Sequence, residues 1–408
     1  MKRILKILGP GLLFAGAAVG VSHLVQSTRA GSDFGFSLAW ALLIVHVFKY
    51  PFFQFGPRYT MATGESLLEG YKKLGKGVLI IYYVLTFATM FTIQSALTIV
   101  TAGLASSIFG LTDNLVIWSI IISTICVIIL IIGKYSFLDR LMKIIICTLT
   151  ISTIFAVVLA FTKEEIKYDF AQKLPSTTTG IAFLIAFMGW MPAPLDVSVW
   201  QSLWALEKKK ADDNYNTKAS LTDFNIGYLF TIILGLFFIS LGALVMFGSN
   251  QTFSANATTF SNELISLYTH QFGEWTYILI AIAAFTTMFS TTLTSLDASP
   301  RAMAKSTKLL FGDVFKHTFI FWTAILVIGT LLILSFLLNE MKTLVDIATI
   351  ISFVTAPFYA VINYTLISSK HTPQEWHPSK KMHLLSILGI LFLSGFSVWY
   401  LTTLTSIF

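Results

Sequence analysis

Apolar residues run along the chain in blocks of about 20, the length a helix needs to cross a hydrocarbon core, and polar residues gather between the blocks. Eleven blocks can be counted, at about 9–28, 36–56, 78–104, 115–133, 139–162, 179–203, 222–248, 275–298, 316–338, 343–368 and 383–406. The pattern predicts an all-α polytopic membrane protein with 11 transmembrane helices. Two blocks are interrupted. In the sixth, Ala186 to Ser202 reads AFMGWMPAPLDVSVWQS; Pro192 and Pro194 each lack an N–H and restrict the residue before them, which predicts a break near Met191 to Leu195. In the first, Gly20, Val21, Ser22 and His23 put a glycine, a hydroxyl and an imidazole into an apolar run, and a second break is expected there. Irregular backbone at bilayer depth is tolerated only beside a protected cavity, and paired broken helices near the midplane are where many secondary transporters hold their cargo. Each interrupted block opens a group of five. That is the layout of a five-plus-five inverted repeat, with a first repeat at about 9–162, a second at about 179–368 and an appended helix at 383–406, in a single transmembrane transporter domain spanning 1–408.

Charge tests the count, because Lys and Arg should gather in alternate connections. With the N-terminus cytoplasmic and the C-terminus outside, only Arg29, Lys163, Lys167, Lys173 and Lys342 of the 27 Lys and Arg residues fall in outer segments, and Lys49 lies within the second block. All the others face the cytoplasm. A missed or extra helix would scramble that alternation, so the expectation is a multi-pass protein of the plasma membrane. The opening MKRILKIL resembles the basic region of a signal peptide, but with so many later blocks an uncleaved first helix is expected. RYTMATGESLLEGYKKLGKG, from Arg58 to Gly77, reads as a short cytoplasmic helix started by Thr63/Ser66 and ended by Gly75 and Gly77. No connection is long enough for a soluble domain. The longest outer one, Gly248 to Trp275, carries glycosylation-type motifs at Asn250 and Asn256.

Composition narrows the class further. At 55% hydrophobic and 12% charged residues the chain lies outside the soluble globular range. Its net charge of +7 is scattered singly between apolar blocks, with no basic helix or aromatic-interleaved patch, which excludes nucleic acid as a partner. Cys126 and Cys147 sit inside apolar blocks without a CxxC or Cys/His cluster, so neither a disulfide framework nor a zinc site is indicated. No nucleophile with a base, nucleotide loop or catalytic metal cluster appears, so neither an enzyme nor a cofactor is expected.

From Gly9 to Gly31 the chain resembles the first helix of the Nramp (natural-resistance-associated macrophage protein) divalent-metal transporters, including the Gly9-Pro10-Gly11 opening and the closing Ala30-Gly31. Met191-Pro192 and Leu195 are similar to that family's Met-Pro-His-Asn-Leu run, and Ala356-Pro357-Phe358 to its Leu-Pro-Phe. The resemblance implies a LeuT-type fold and transport of a divalent metal. The departures fall at the chemistry. Where the family has Asp-Pro-Gly-Asn this chain has Gly20-Val21-Ser22-His23; the family's His-Asn is Ala193-Pro194, its later histidine falls at Ser198, and its tenth-helix glutamine at Thr355. The third block lacks an acid and the ninth an arginine, so the family's proton pathway has no counterpart and proton coupling is expected to be weak or differently routed.

A hard divalent ion needs oxygen ligands and usually a carboxylate, and Asp196 is the only acid near either break. A softer first-row ion can use the Met188 and Met191 sulfurs and the His23 imidazole, with carbonyls freed by the breaks, such as those of Val19 and Met188. Hydroxyls at Thr287, Ser290, Thr291, Thr294 and Ser295 line the eighth block, and the resemblance implies that this helix contributes ligands. The candidate cargo-binding set is Gly20, Ser22, His23, Met188, Met191, Asp196, Thr294 and Thr355, with His23, Met191 and Asp196 as metal ligands. Each has a plainer reading: Met188 and Met191 as gap-fillers, His23 as an interhelical donor, Asp196 as a polar pin, the hydroxyls as helix packing. His46 and Lys49 read as snorkelling or touching the first helix. The expected function is a secondary active transporter moving divalent metal ions of the Mn or Fe kind across the lipid bilayer by alternating access. The alternative is a transporter of the same fold that has lost metal binding and carries a small organic solute, with Gly20 widening the cavity and Ser22 holding a polar group.

Overall fold

A computed structural model describes residues 8–132, 144, 148, 150–158, 169–212, 214–247, 253–254, 256–273, 277–313, 316–337 and 340–405. Every regular element among them is helical. The first block folds as α1 (Pro10–Ala18), a π-helical segment (Val21–Ser27) and α2 (Thr28–Phe34). α3 (Ala39–Thr63), the short α4 (Leu67–Leu74), α5 (Lys76–Phe109) and α6 (Leu115–Ile132) follow. Most of the fifth block lies outside the described residues; 150–158 within it are helical. The sixth block splits into α7 (Thr178–Trp190) and α8 (Val197–Ala211), and the chain continues through α9 (Thr217–Val245), α10 (Ala257–Phe272), α11 (Tyr277–Phe311), α12 (Thr318–Phe336), α13 (Met341–Ile367) and α14 (Lys380–Thr405). Among the described residues seven helical stretches are long and apolar enough to cross a bilayer, the broken Pro10–Phe34 included. α7 is a shorter apolar helix.

Three expectations are corrected. Gly77 does not end the short helix but lies inside α5, which begins at Lys76; Gly75, at φ 154°, is the residue that separates the two. The connection from Gly248 to Trp275 is no plain loop: it contains α10, whose N-terminus is capped by the Asn256 side chain accepting from the Thr258 and Thr259 amides. That helix is short and carries polar residues throughout, so block-length hydropathy passes over it. α11 also runs past its expected end to Phe311, through Pro300. Asn250 lies outside the described residues.

The first span is held to α9 by contacts that only glycine permits. A methyl group on Gly11 would meet the Asp223 carbonyl at 2.1 Å, one on Gly227 the Gly11 carbonyl at 2.0 Å, and one on Gly242 the Thr28 carbonyl at 2.1 Å. Small residues let backbones approach where lipid gives helices no hydrophobic reason to associate. At the same crossing the buried Asp223 carboxylate accepts from the Gly9 and Gly11 amides at 3.0 and 2.8 Å and from the Tyr215 hydroxyl at 3.0 Å. A carboxylate on the free amides of a helix start satisfies both the donors and the dipole. Around this pair α5 packs along α11 and α13, pinned by the Thr101 and Thr292 hydroxyls 2.8 Å apart.

α4 behaves as its sequence predicts and does more. Ser66 and Glu69 form a reciprocal capping box, and its buried face, Leu67, Leu68 and Tyr71, closes over one end of the bundle. The Tyr71 hydroxyl donates to Asn363 Oδ1 at 2.5 Å, whose amide donates to Ser198 Oγ at 2.9 Å and to the Phe52 carbonyl at 3.1 Å. Lys305 of α11 holds Glu69 at 2.5 Å. Burial alone would raise the Glu69 carboxyl, but the Lys305 and Ser66 hydrogen bonds outweigh it and hold the group below the usual glutamate range.

Candidate functional site

The two breaks form at the residues that predispose to them and meet at the centre of the bundle. α7 ends at Trp190, Met191 is extended, the Met191–Pro192 peptide is cis, and α8 resumes at Val197. The first span departs from helix at Val19 and Gly20, two or three residues earlier than Ser22 and His23, which lie within the π-helical segment. Ser22 Oγ lies 3.4 Å from the Pro192 carbonyl, so the two interruptions touch.

Between them is a small cavity of about 30 Å³ lined by Ala18, Ser22, Trp190, Trp200, Thr291 and Ser295, among others. Of the candidate residues only Ser22 lines it. Gly20 does not widen it, which corrects the solute-cavity expectation: a Cβ there would sit 2.6 Å from the Thr291 methyl, and the Thr291 hydroxyl already donates to the Gly16 carbonyl at 2.8 Å. His23 is fully buried and faces α9, with Nε2 2.9 Å from the Thr231 carbonyl and Nδ1 2.7 Å from Ser22 Oγ. Both ring nitrogens are engaged within the protein, Nε2 against the Thr231 carbonyl and Nδ1 against Ser22 Oγ and the Ala18 carbonyl at 3.1 Å. Thr294 and Thr355 also turn back on their own helices, donating to the Ser290 and Ile351 carbonyls at 2.9 Å each. Met188 and Met191 are fully buried in the core. No group of three or more His, Cys, Asp or Glu able to hold a metal occurs among the described residues.

Charge enters at the sixth span. Asp196 stands at the start of α8, is 4% exposed, and its Oδ1 has no hydrogen-bond partner. It lies within electrostatic reach of Lys49 and of Tyr71, Tyr82 and Tyr359. Lys49 does not snorkel to water. It is 0% exposed, and its ammonium donates to the carbonyls of Gly189 at 2.7 Å, Met188 at 3.0 Å and Ala193 at 3.5 Å, the groups that the break sets free. Sequence reasoning undervalued this residue, although a charge inside an apolar block is by itself a signal of function.

On the side away from α4, Arg29 and Asp346 pair at 3.3 Å, and Arg29 stacks over Phe183 at 5.0 Å. Both charges line a cavity of about 420 Å³ with Asp33, Lys342 and Phe183.

A variant of a manganese transporter from Eremococcus coleocola superposes on this chain with a TM-score of 0.72, over 97% of this chain and 86% of that one, at 12% identity. Mhp1, a nucleobase-cation-symport-1 family transporter in a closed conformation with bromovinylhydantoin bound, superposes with a TM-score of 0.63, over 98% and 93%, at 14% identity. At such identities the likeness shows the fold alone, which is the LeuT-type fold of a multi-pass membrane protein. In sequence, an uncharacterised protein of Pasteurella multocida (strain Pm70) is 34% identical over 401 residues, 97% of this chain and 91% of the relative. The natural resistance-associated macrophage protein-like pattern matches residues 11–403, so the chain belongs to the Nramp family.

Proposed function

We propose that this protein is a secondary transporter that moves a divalent metal ion of the manganese or iron class by alternating access. It works in the plasma membrane with the N-terminus cytoplasmic and the C-terminus outside, and access alternates through movement about the paired breaks. Family membership and the likeness to a manganese transporter support the class of cargo. The observation that carries the reading is the unpartnered Oδ1 of Asp196 at the start of α8. Burying a carboxylate oxygen without a partner is costly, and a cation at the break would relieve that cost. Asp196 thus takes the part played in the family by the first-helix aspartate, transferred to the sixth span. Proteoliposomes holding the purified protein should accumulate Mn²⁺ at rates well above protein-free vesicles; rates equal to the blank would remove the metal reading.

A second reading has its own support. The cavity is walled by Trp190 and Trp200 and hydroxyls, with no acid, and Lys49 places an ammonium on the nearby carbonyls. Aromatic walls with a few polar groups are the chemistry of small-solute sites, and this cavity of about 30 Å³ would have to open to admit one. A panel of small polar solutes that raises the melting temperature of the purified protein, while Mn²⁺ leaves it unchanged, would favour this reading.

A further inference from the structure

The break in the sixth span has two poles. α7 ends with carbonyls that have no partner further along the helix, a negative helix end, and α8 starts opposite it with a positive dipole end whose first amides, those of Val197, Ser198 and Val199, already donate to the Pro194, Leu195 and Asp196 carbonyls. Each pole is met by one buried side chain of opposite charge. Lys49, from α3, sits on the carbonyl pole with three contacts, 2.7, 3.0 and 3.5 Å, which matches the three donors of an ammonium. Asp196 stands at the start of α8, at the other pole, without a side-chain capping hydrogen bond. The carbonyls of Met188 and Ala193 that an incoming cation would use are therefore already coordinated by a positive charge carried on the protein.

We infer that Lys49 is a tethered cation that determines cargo specificity: its ammonium occupies the carbonyl pole of the broken sixth span, and a cationic cargo binds by displacing it. The inference rests on the reading of the break as the cargo site. Two consequences follow from charge alone. A cation approaching Asp196 meets the repulsion of an ammonium in a medium of low dielectric, so affinity is held down and release is made easier. Cations that cannot take over the carbonyls gain nothing from displacing the lysine, so the site discriminates by what replaces the ammonium as well as by what Asp196 attracts. The other charged or titratable groups nearest to Lys49 are Asp196, on the sixth span, and His46, one turn earlier on α3. The Nε2 of His46 lies 3.4 Å from Thr231 Oγ1, and neither group is needed to hold Lys49 on the carbonyls.

The test uses full-length protein in detergent, titrated with MnCl₂ alone and followed by calorimetry. Lys49→Gln keeps a donor for one carbonyl and removes the charge; Lys49→Met keeps the length and removes both. Either variant, purified as a folded monodisperse protein, should bind Mn²⁺ about tenfold or more tightly than wild type, because repulsion and competition are both gone. Lys49→Arg, which keeps the charge, should not show the gain. Wild-type binding with no tightening in Lys49→Gln or Lys49→Met overturns this inference and leaves metal transport standing. No Mn²⁺ binding in wild type or any variant overturns both. Wild-type protein carries an independent readout: a small amine-acylating reagent should modify Lys49 only when saturating Mn²⁺ has displaced it, and labelling unchanged by Mn²⁺ overturns the displacement even if neither neutral variant folds.

Discussion

The two breaks lie against each other and resolve their freed backbone groups in opposite ways. At the first, every relevant polar group closes on protein: Thr291 on the Gly16 carbonyl, Ser22 on the Ala18 carbonyl at 2.5 Å, His23 on Thr231. At the sixth, two charges do the work and one carboxylate oxygen is left over. The first break is thus a neutral, filled joint, and the sixth is a polarised gap. At the first break Gly20 is packed shut by Thr291, and the acid near the breaks, Asp196, lies on the sixth span.

The largest test of that contrast is Asp196→Asn, which keeps the shape and removes the charge. It should cut Mn²⁺ uptake into proteoliposomes by about a hundredfold or more, since a buried charged ligand is worth several kcal/mol, with melting temperature nearly unchanged. Normal uptake would make Asp196 a structural pin and level the two breaks. Next in size is Gly20→Ala, where the new methyl must push Thr291 aside, at a cost of about 1–3 kcal/mol in overpacking. The melting temperature should fall by several degrees and be partly restored by adding Thr291→Ala, which a thermal-shift series would read. An unchanged melting temperature would mean that the first joint has room. His23→Gln should cost about 1–3 kcal/mol through its buried partners while leaving Mn²⁺ affinity within about threefold, because the imidazole faces α9 and not the gap; a large loss of affinity in calorimetry would make the first break a ligand after all. The smallest effect is expected outside the bilayer region. Glu69 is held below the usual glutamate range, so its contribution to seating α4 is fully present above the unfolded-state value and fades as pH falls through the lower folded value. Glu69→Gln should lower stability by no more than about 1 kcal/mol at neutral pH and by nothing once the carboxyl is protonated. A pH series of melting temperatures in which wild type and variant run parallel would remove the role given to the Lys305 pair.

What the sequence disclosed followed from how local the cause was. The prolines at 192 and 194 break α7 from α8 by backbone sterics, and Ser66 starts α4 through contacts within one turn, so both were legible, although Glu69 as the other half of the cap was not named. The break at Gly20 was also legible, but its purpose was not, because Thr291 fills it from 271 positions further along the chain. His23 and Asp196 looked alike as polar residues in apolar blocks. Their difference lies in partners: Thr231 for one and an unpaired oxygen for the other. Lys49 was read by its place near a helix end, where lysines commonly reach for water; the carbonyls that hold it belong to another helix and appear only in three dimensions.

The glycine contacts between the first span and α9 carry a mechanical consequence. At Gly11, Gly227 and Gly242 the two backbones touch carbonyl to α-carbon, with no side chains between them to slide or change rotamer. Such a seam is stiff in shear and transmits torque. The halves of the broken span on either side of the gap are welded to the same rod, at Gly11 and at Thr28, so they and α9 act as a single lever, and Val19 and Gly20, where the helix is interrupted between the welds, are where it can bend.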